Sequence, residues 1–421
     1  MATYYVRKSG SDSNNGTSPA TAWLTIGKAL GAAGIASGDT VYIGAGVYRE
    51  TVTIAMTSAT GTTSVIGDVD GSKTGDAGIV RWTAWTTDDK TTPASAILLQ
   101  FAGRDFLSFQ NILFYGSSAG SAMISSTTTG AATNITFTKC VIIATGSASN
   151  LVSIGTTGAP AGTALHWLFD SCQFLGFSGG VATLLVTYAS GVSADWDLDI
   201  ILRQCVFLNG SSGGTIAITK SGANTFLAGG ILVQNCTNIS GGSFFKVNTA
   251  ASTSIPCKIY NCEIILVTSS AAIVAANSGE IVEDYNQIAA QTARTNVTAG
   301  TNSVTSYAPL LNFGHAQLWG FNPRPVFSPM VDSPQLGFGT DGSVSLTTDM
   351  LGRDRPSGPG VTWANTSKAV GCLEYHDFQT KESSIVVVGD SWKLTGPGDC
   401  DIKVPLDTTA TVLAIQGRYE K

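Results

Sequence analysis

The chain has 421 residues, of which 43% are hydrophobic and 12% charged, and its net charge is −6. No basic tract is present, which excludes a nucleic-acid surface built on phosphate contacts, and no apolar run of about 18 residues exists to make a membrane-spanning helix. Forty-eight glycines, with many Ser, Thr and Asn and few helix formers, point to an all-β chain rich in turns.

The chain opens Met1-Ala-Thr-Tyr-Tyr-Val-Arg-Lys without the charged start and apolar stretch of a signal peptide, so no export signal is expected there. Around Tyr5-Val6 a strand is predicted, then an Asx-type turn over Asp12 to Gly16. A short amphipathic helix is expected from about Thr25, with Leu24, Ile26, Ala29, Leu30 and Ala33 as its apolar face. Val41 to Ile43 returns to a strand. Residues 1–39 are therefore expected to form a cap whose helix covers the first coil of the remaining chain.

After residue 40 the sequence repeats. An apolar residue, two variable residues and a Cys recur as Phe137-Thr-Lys-Cys140, Phe169-Asp-Ser-Cys172, Leu202-Arg-Gln-Cys205, Val233-Gln-Asn-Cys236 and Ile259-Tyr-Asn-Cys262. An earlier copy, Phe109-Gln-Asn-Ile112, places Ile in the same slot. From Ile112 onward the slots lie 28, 32, 33, 31 and 26 residues apart, and a period between about 20 and 50 residues marks a solenoid. Each phrase alternates like a strand that ends at a turn. Residues 40–378 are thus read as on the order of ten stacked coils, closed by a C-terminal cap. Within them, Ala289 to Leu311 reads as an inserted loop, and the prolines Pro323, Pro325 and Pro329 interrupt the strands. Stacked slots about 4.8 Å apart, with side chains aimed in parallel, suit a column of reduced packing thiols better than disulfides. Cys257, Cys372 and Cys400 fall outside the column, and the sequence assigns them no role.

Residues 379–421 differ in composition. Ser384 to Val388, Trp392 to Leu394, Asp401 to Val404 and Thr411 to Ile415 read as four strands, with turns at Gly389-Asp390 and Gly396 to Asp399. About 43 residues is small for an independent sandwich, so this module is expected to be completed by the coils or by neighbouring subunits.

The opening Tyr5-Val6 … Asp12-Ser-Asn-Asn-Gly16 … Ala22-Trp23-Leu-Thr25-Ile26 … Gly38-Asp39-Thr40-Val41-Tyr42-Ile43 … Gly46-Val47-Tyr48-Arg49-Glu50 resembles the start of right-handed parallel β-helix proteins of the pectin lyase-like superfamily, including polysaccharide lyases of family 9 and phage proteins. The likeness resumes at Thr348-Asp349-Met-Leu-Gly352-Arg353-Asp-Arg355-Pro356 and Val370-Gly371-Cys372-Leu373-Glu374, with Cys372 where such proteins usually carry Ala. The resemblance implies a right-handed parallel β-helix with closed ends. These are fold and cap signatures, not catalytic ones.

Among candidate site residues, Asp195, Asp197 and Asp199 alternate with Trp196, Leu198 and Ile200, which puts three carboxylates on one strand face. Such a face suits Ca²⁺. The resemblance to pectate lyases implies a proton abstraction assisted by aspartate-bound Ca²⁺ and a basic residue. Lys220, roughly one coil on, is the candidate base for that face. The plainer reading is a set of solvated charges on an exposed strand. The Asp68 to Asp76 stretch lacks calcium-loop spacing and reads as a turn. Trp82 and Trp85 are the candidate exposed pair for stacking on a glycan. The three histidines lie at no metal-ligand spacing, and no nucleotide or nucleophile motif is present. No resident cofactor is expected.

Two functions are consistent with these features. The first is a structural protein of a phage particle surface, such as a decoration, head-fibre or tail-spike component. It would be trimeric by resemblance, bound to other virion proteins, and able to face a host surface glycan. The alternative is a calcium-dependent polysaccharide lyase, or a glycoside hydrolase, acting on acidic or capsular glycans.

Overall fold

A computed structural model describes residues 1–305 apart from short connecting segments at 32–33, 57–60, 88–96, 117–121, 127–131, 145–149, 156–163, 177–181, 189–195, 210–213, 221–225, 249–255 and 267–269; beyond them it describes the strand residues 311–312, 328–329, 384–388, 391–395 and 400–402. The chain divides into two compact units, Met1–Glu374 and Tyr375–Lys421.

In the first unit the chain winds as a right-handed parallel β-helix with three parallel sheets of ten, ten and nine strands. Each full coil contributes one strand to each sheet. The first sheet runs from Thr3–Val6 through Thr40–Ile43, Thr63–Gly67, Leu107–Gln110, Ile135–Thr138, Ala164–Asp170, Trp196–Arg203, Phe226–Gln234 and Cys257–Tyr260 to Ile281–Asp284. The second begins at Gly46–Arg49 and ends at Val304–Thr305, and its strands from Val141–Ala144 to Glu263–Leu266 come directly after the cysteine slots. The third, nine strands from Val52–Thr53 to Thr292–Thr295, closes the coil.

The corner between the first and second sheets sets the repeat. The residue before each slot (Asn111, Lys139, Ser171, Gln204, Asn235, Asn261 and Tyr285) sits at a φ of 51 to 57°. This left-handed turn is tolerated best by Asn among non-glycine residues. It swings the chain so that the slot residue points inward. Ile112, Cys140, Cys172, Cys205, Cys236 and Cys262 are all fully buried. Backbone bonds run between their coils, from Gln173 N to Cys140 O, Val206 N to Cys172 O, Thr237 N to Cys205 O and Glu263 N to Cys236 O. Each thiol also reaches the carbonyl three residues before the preceding slot. These contacts are Cys140 to Phe109 (3.4 Å), Cys172 to Phe137 (3.3 Å), Cys205 to Phe169 (3.5 Å), Cys236 to Leu202 (3.6 Å) and Cys262 to Val233 (3.7 Å). Asn286 continues the column one coil further, its Nδ2 donating to Ile259 O at 2.8 Å. All six described cysteines are free thiols.

Other columns line the interior. Val65, Phe109, Phe137, Phe169, Leu202, Val233 and Ile259 succeed one another in register in the first sheet. The Phe137 ring stacks on Phe109 at 5.2 Å and on Phe169 at 5.3 Å. Next in this column is Glu283, whose carboxylate is fully enclosed. It accepts from Arg294 Nε (2.6 Å), Gly300 N (2.7 Å), Asn286 Nδ2 (2.7 Å) and Ser303 Oγ (2.5 Å). A buried carboxylate is tolerated only when paired and hydrogen-bonded in this way. Cys257 belongs to a parallel column with Leu107, Ile135, Trp167, Ile200, Ile231 and Ile281, which gives it the packing role that the slot spacing left undefined.

At the start of the coils, the free edge of Thr3–Val6 is covered by the chain itself: Tyr5 N donates to Gly16 O (2.8 Å), Trp23 N to Tyr5 O (2.9 Å) and Arg7 N to Trp23 O (2.8 Å). That is a direct remedy for an exposed strand edge. The helix spans only Ile26–Leu30, shorter than the apolar face from Leu24 to Ala33 suggested, and its Leu30 carbonyl accepts from Ala55 and Met56 N. Thr25 caps it through Lys28 N, and the Glu50 carboxylate accepts from Ile26 N and Gly27 N, both at 2.8 Å. Asp12 ties the same region together by accepting from Leu24 N, Thr25 N and Thr25 Oγ1.

In the second unit, Ser384–Val388, Ser391–Thr395 and Cys400–Ile402 form a three-stranded antiparallel sheet. The expected fourth strand at Thr411 to Ile415 and the two turns lie outside the described residues.

Candidate functional site

The strand Trp196–Arg203 carries the acidic candidates on the first sheet. Its register sets Asp197 between Ala164 and Ala228, and Asp199 between His166 and Gly230. Ile200 and Leu202 point into the core, so Asp199, two residues before Ile201, shares the outer face with it. A register shift between Trp196 and Asp197 interrupts the alternation there. Asp195 and the side chains of Asp197 and Lys220 lie outside what the structure describes.

Lys220 is not on that sheet. It ends the third-sheet strand Ile216–Lys220, paired with Tyr188. The chain then passes through residues 221–225 into Phe226–Gln234, the strand that pairs with Trp196–Arg203. The acidic strand and Lys220 therefore meet by topology at one corner of the coil, on different sheets, in place of the single face that spacing suggested.

The outer face around Asp199 combines aliphatic and charged groups. Leu168, Ile201 and Leu232 are half-buried in one row, and Val282 further along is 52% exposed. In the next row Arg203 NH2 and Asp170 Oδ2 form an ion pair at 2.6 Å across adjacent coils.

Trp82 does not face solvent. It is fully buried in the second-sheet interior column with Tyr48 and Phe114, its ring 5.5 Å from Phe114 and its Nε1 donating to Glu50 O at 2.9 Å. The strand parity that turns Trp82 inward overrides the polar loop after it, and this removes it as a glycan platform. Trp85 is half-buried beside a separate apolar cluster of Leu113, Tyr115, Ile143 and Leu175 on the outside of the second sheet. Gly116 lies so close that a Cβ there would come 2.7 Å from the Trp85 ring.

The carboxylates of Asp68 and Asp76 in the Asp68 to Asp76 turn are already taken up by protein groups. Asp68 Oδ2 accepts from Lys73 N (3.0 Å), Thr74 N (2.5 Å) and Thr74 Oγ1 (2.7 Å). Asp76 takes a bidentate bond from Arg7, 2.7 Å on each oxygen, and the guanidinium holds its carboxyl below the usual range. Among the described residues, no group of three or more His, Cys, Asp or Glu side chains could hold a metal ion together. Burial works against the thiolate at Cys140 and Cys205 and pushes both well above the usual thiol range, which makes these two poor nucleophiles.

Cysteine spacing does not reveal the Glu283–Arg294–Asn286–Ser303 network or the place of Asn286 in the slot column. The signal was the phrase Val282-Glu-Asp-Tyr-Asn286, 24 residues after Cys262, with Asn in the slot and Glu at the apolar position.

No family profile and no curated protein matches the chain. Among solved structures it is similar to pectate lyase Pel9A, at 12% identity with a TM-score of 0.39, covering 89% of this chain and 97% of that one. It is also similar to a complex of XylC with xylose (9% identity, TM-score 0.35, covering 88% and 98%) and to a rhamnogalacturonan lyase (14%, 0.33, covering 68% and 87%).

Proposed function

We propose that the protein is a non-catalytic display rod: a parallel β-helix presented on a particle surface, a virion by the resemblance in its sequence, and assembled through its C-terminal unit. The observation that supports this is the register of the small sheet. Ile385 pairs with Leu394, Val387 with Trp392, Trp392 with Ile402 and Leu394 with Cys400. The register thus pairs apolar residue types with one another at every one of those positions. A unit of 47 residues (375 to 421) is small for an independent fold, and copies of the same unit around a threefold axis would complete it. The test is the native mass of the protein with and without residues 379–421. A trimer that becomes a monomer on truncation supports the proposal. A monomer in both forms overturns it.

The second reading, a lyase or hydrolase of acidic glycans, has one observation in its favour: Asp197, Asp199 and Lys220 converge by topology on one corner of the coil. Its test is eliminative activity on uronate polymers with calcium supplied, compared with Asp199→Ala and Lys220→Ala. Full activity in both variants, or none in the native protein, removes it.

A further inference from the structure

The slot column is a chemical feature as well as a packing one. Five thiols stand in consecutive coils, all fully buried and none in a disulfide. The backbone ladder passes through the slots themselves, so neighbouring cysteines are direct rung partners. Parallel strands lie about 4.8 Å apart, and in-register side chains keep roughly that separation. A metal–thiolate bond is about 2.3 Å long, so two of them in line span about 4.6 Å. The rung spacing thus matches a linear S–metal–S unit. A tetrahedral ion, which needs four converging ligands, has no place in such a file.

Charge selects among the linear ions. The interior around the column is almost wholly apolar: the neighbouring columns are Phe, Leu, Val and Ile, with Asn238 as a polar member between Phe207 and Ile264. An ion that left net charge there would meet a large desolvation cost. A monovalent ion that replaces one thiol proton leaves the charge unchanged. Soft thiolate ligands favour ions of the copper(I) type.

We propose that the column of Cys140, Cys172, Cys205, Cys236 and Cys262 is a linear site for monovalent thiophilic ions, copper(I) or silver(I), one on each rung. At every rung an S–H bond breaks, its proton passes to the solvent, and the ion bonds both sulfurs. No electron is transferred. Five thiols make four rungs, so the full chain takes four ions and releases four protons. Ile112 and Asn286 at the two ends supply no sulfur and terminate the site. Because the thiols are enclosed, loading accompanies folding or the opening of a coil.

The test uses silver(I), which is not subject to oxidation. The full chain, with Cys257, Cys372 and Cys400 changed to Ser, is unfolded and refolded anaerobically with excess silver(I). It is then freed of loose ion, and the metal bound per chain is measured. Melting curves confirm that each variant is folded, and the hydroxyl of Ser can take over the bond to the carbonyl. Four ions per chain are expected. Cys140→Ser, at the end of the column, removes one rung and leaves three. Cys205→Ser, in the middle, removes two and leaves two. Equal losses in the two variants would mean that each thiol binds independently, and would overturn the proposal. So would a folded parent chain that retains no silver.

Discussion

Phe137 is the centre of the interior stack, and its removal measures what the stack contributes. The ring is fully buried and lies parallel to Phe109 (5.2 Å, 17°) and Phe169 (5.3 Å, 10°), with Trp167 stacked further off at 6.2 Å and Phe114 edge-on at 5.9 Å. Phe137→Ala removes a whole ring from a rigid column. Such changes cost about 3–5 kcal/mol, and aromatic pairs contribute about 0.5–1.5 kcal/mol each beyond burial. The two parallel neighbours place this site near the upper end, about 4–5 kcal/mol. Because coils touch only their neighbours, the damage should stay local. Denaturant unfolding followed by tryptophan emission reads the total, with Trp167 as a nearby reporter. Amide hydrogen exchange reads the distribution: Leu107–Gln110, Ile135–Thr138 and Ala164–Asp170 should lose protection, while Ile281–Asp284 keeps it. A loss below about 1.5 kcal/mol, or a uniform loss of protection along the coils, would refute the reasoning, since the first is too small for a filled column and the second too cooperative for a solenoid.

The remaining expectations concern charge and the turns. Arg294→Met leaves the enclosed Glu283 carboxylate without its cation and should destabilise the protein by about 3–5 kcal/mol in a denaturant titration. Glu283→Gln in the same background should recover part of that loss, because it removes the charge. Asp76, held below its usual pKa by Arg7, contributes stability that is present above the unfolded carboxyl value of about 3.9 and lost as pH falls through the lower folded value. Melting temperature should therefore fall less steeply on acidification below about pH 4 in Asp76→Asn than in the native protein. Glu50 works in the opposite sense: burial raises its pKa, so its share of stability is greatest when protonated and declines as pH rises through the raised value. Melting curves of Glu50→Gln should lack that decline. Gly116→Ala should disturb Trp85, at which its Cβ would point, and shift the emission of that indole.

The architecture was legible because the corner turn repeats in the sequence with a marked residue in its slot. Periodicity reports strands, and the cysteines reported their register. It failed where the same backbone carries a different side chain. Asp68 occupies the slot position two coils before Cys140, and Asn286 the one after Cys262, yet neither is a cysteine. Trp82 shows the limit of reading exposure from local polarity, since parity within a two-sided strand decides which way a ring points. The candidate site was hardest of all. Asp199 and Lys220 come from different sheets, and only the order of loops around a coil brings their strands to one corner. Spacing in the sequence measures how far along the winding two residues lie, but not which wall they stand on.

The repeated left-handed corner has a consequence for how length is specified. Since seven successive coils, from Asn111 to Tyr285, leave the first sheet through the same turn at φ near 55°, any of these corners can succeed any other. Cutting the chain at one corner and rejoining it at the next, for instance by deleting the 33 residues from Cys172 to Gln204, removes one layer and brings matching ends together. Removing a single residue within a strand instead turns every later side chain in that strand to the wrong side. Length here is quantised in layers of about 4.8 Å, and changes of size are accepted only in whole steps. A lineage of such chains would behave as a set of rulers graduated in coils.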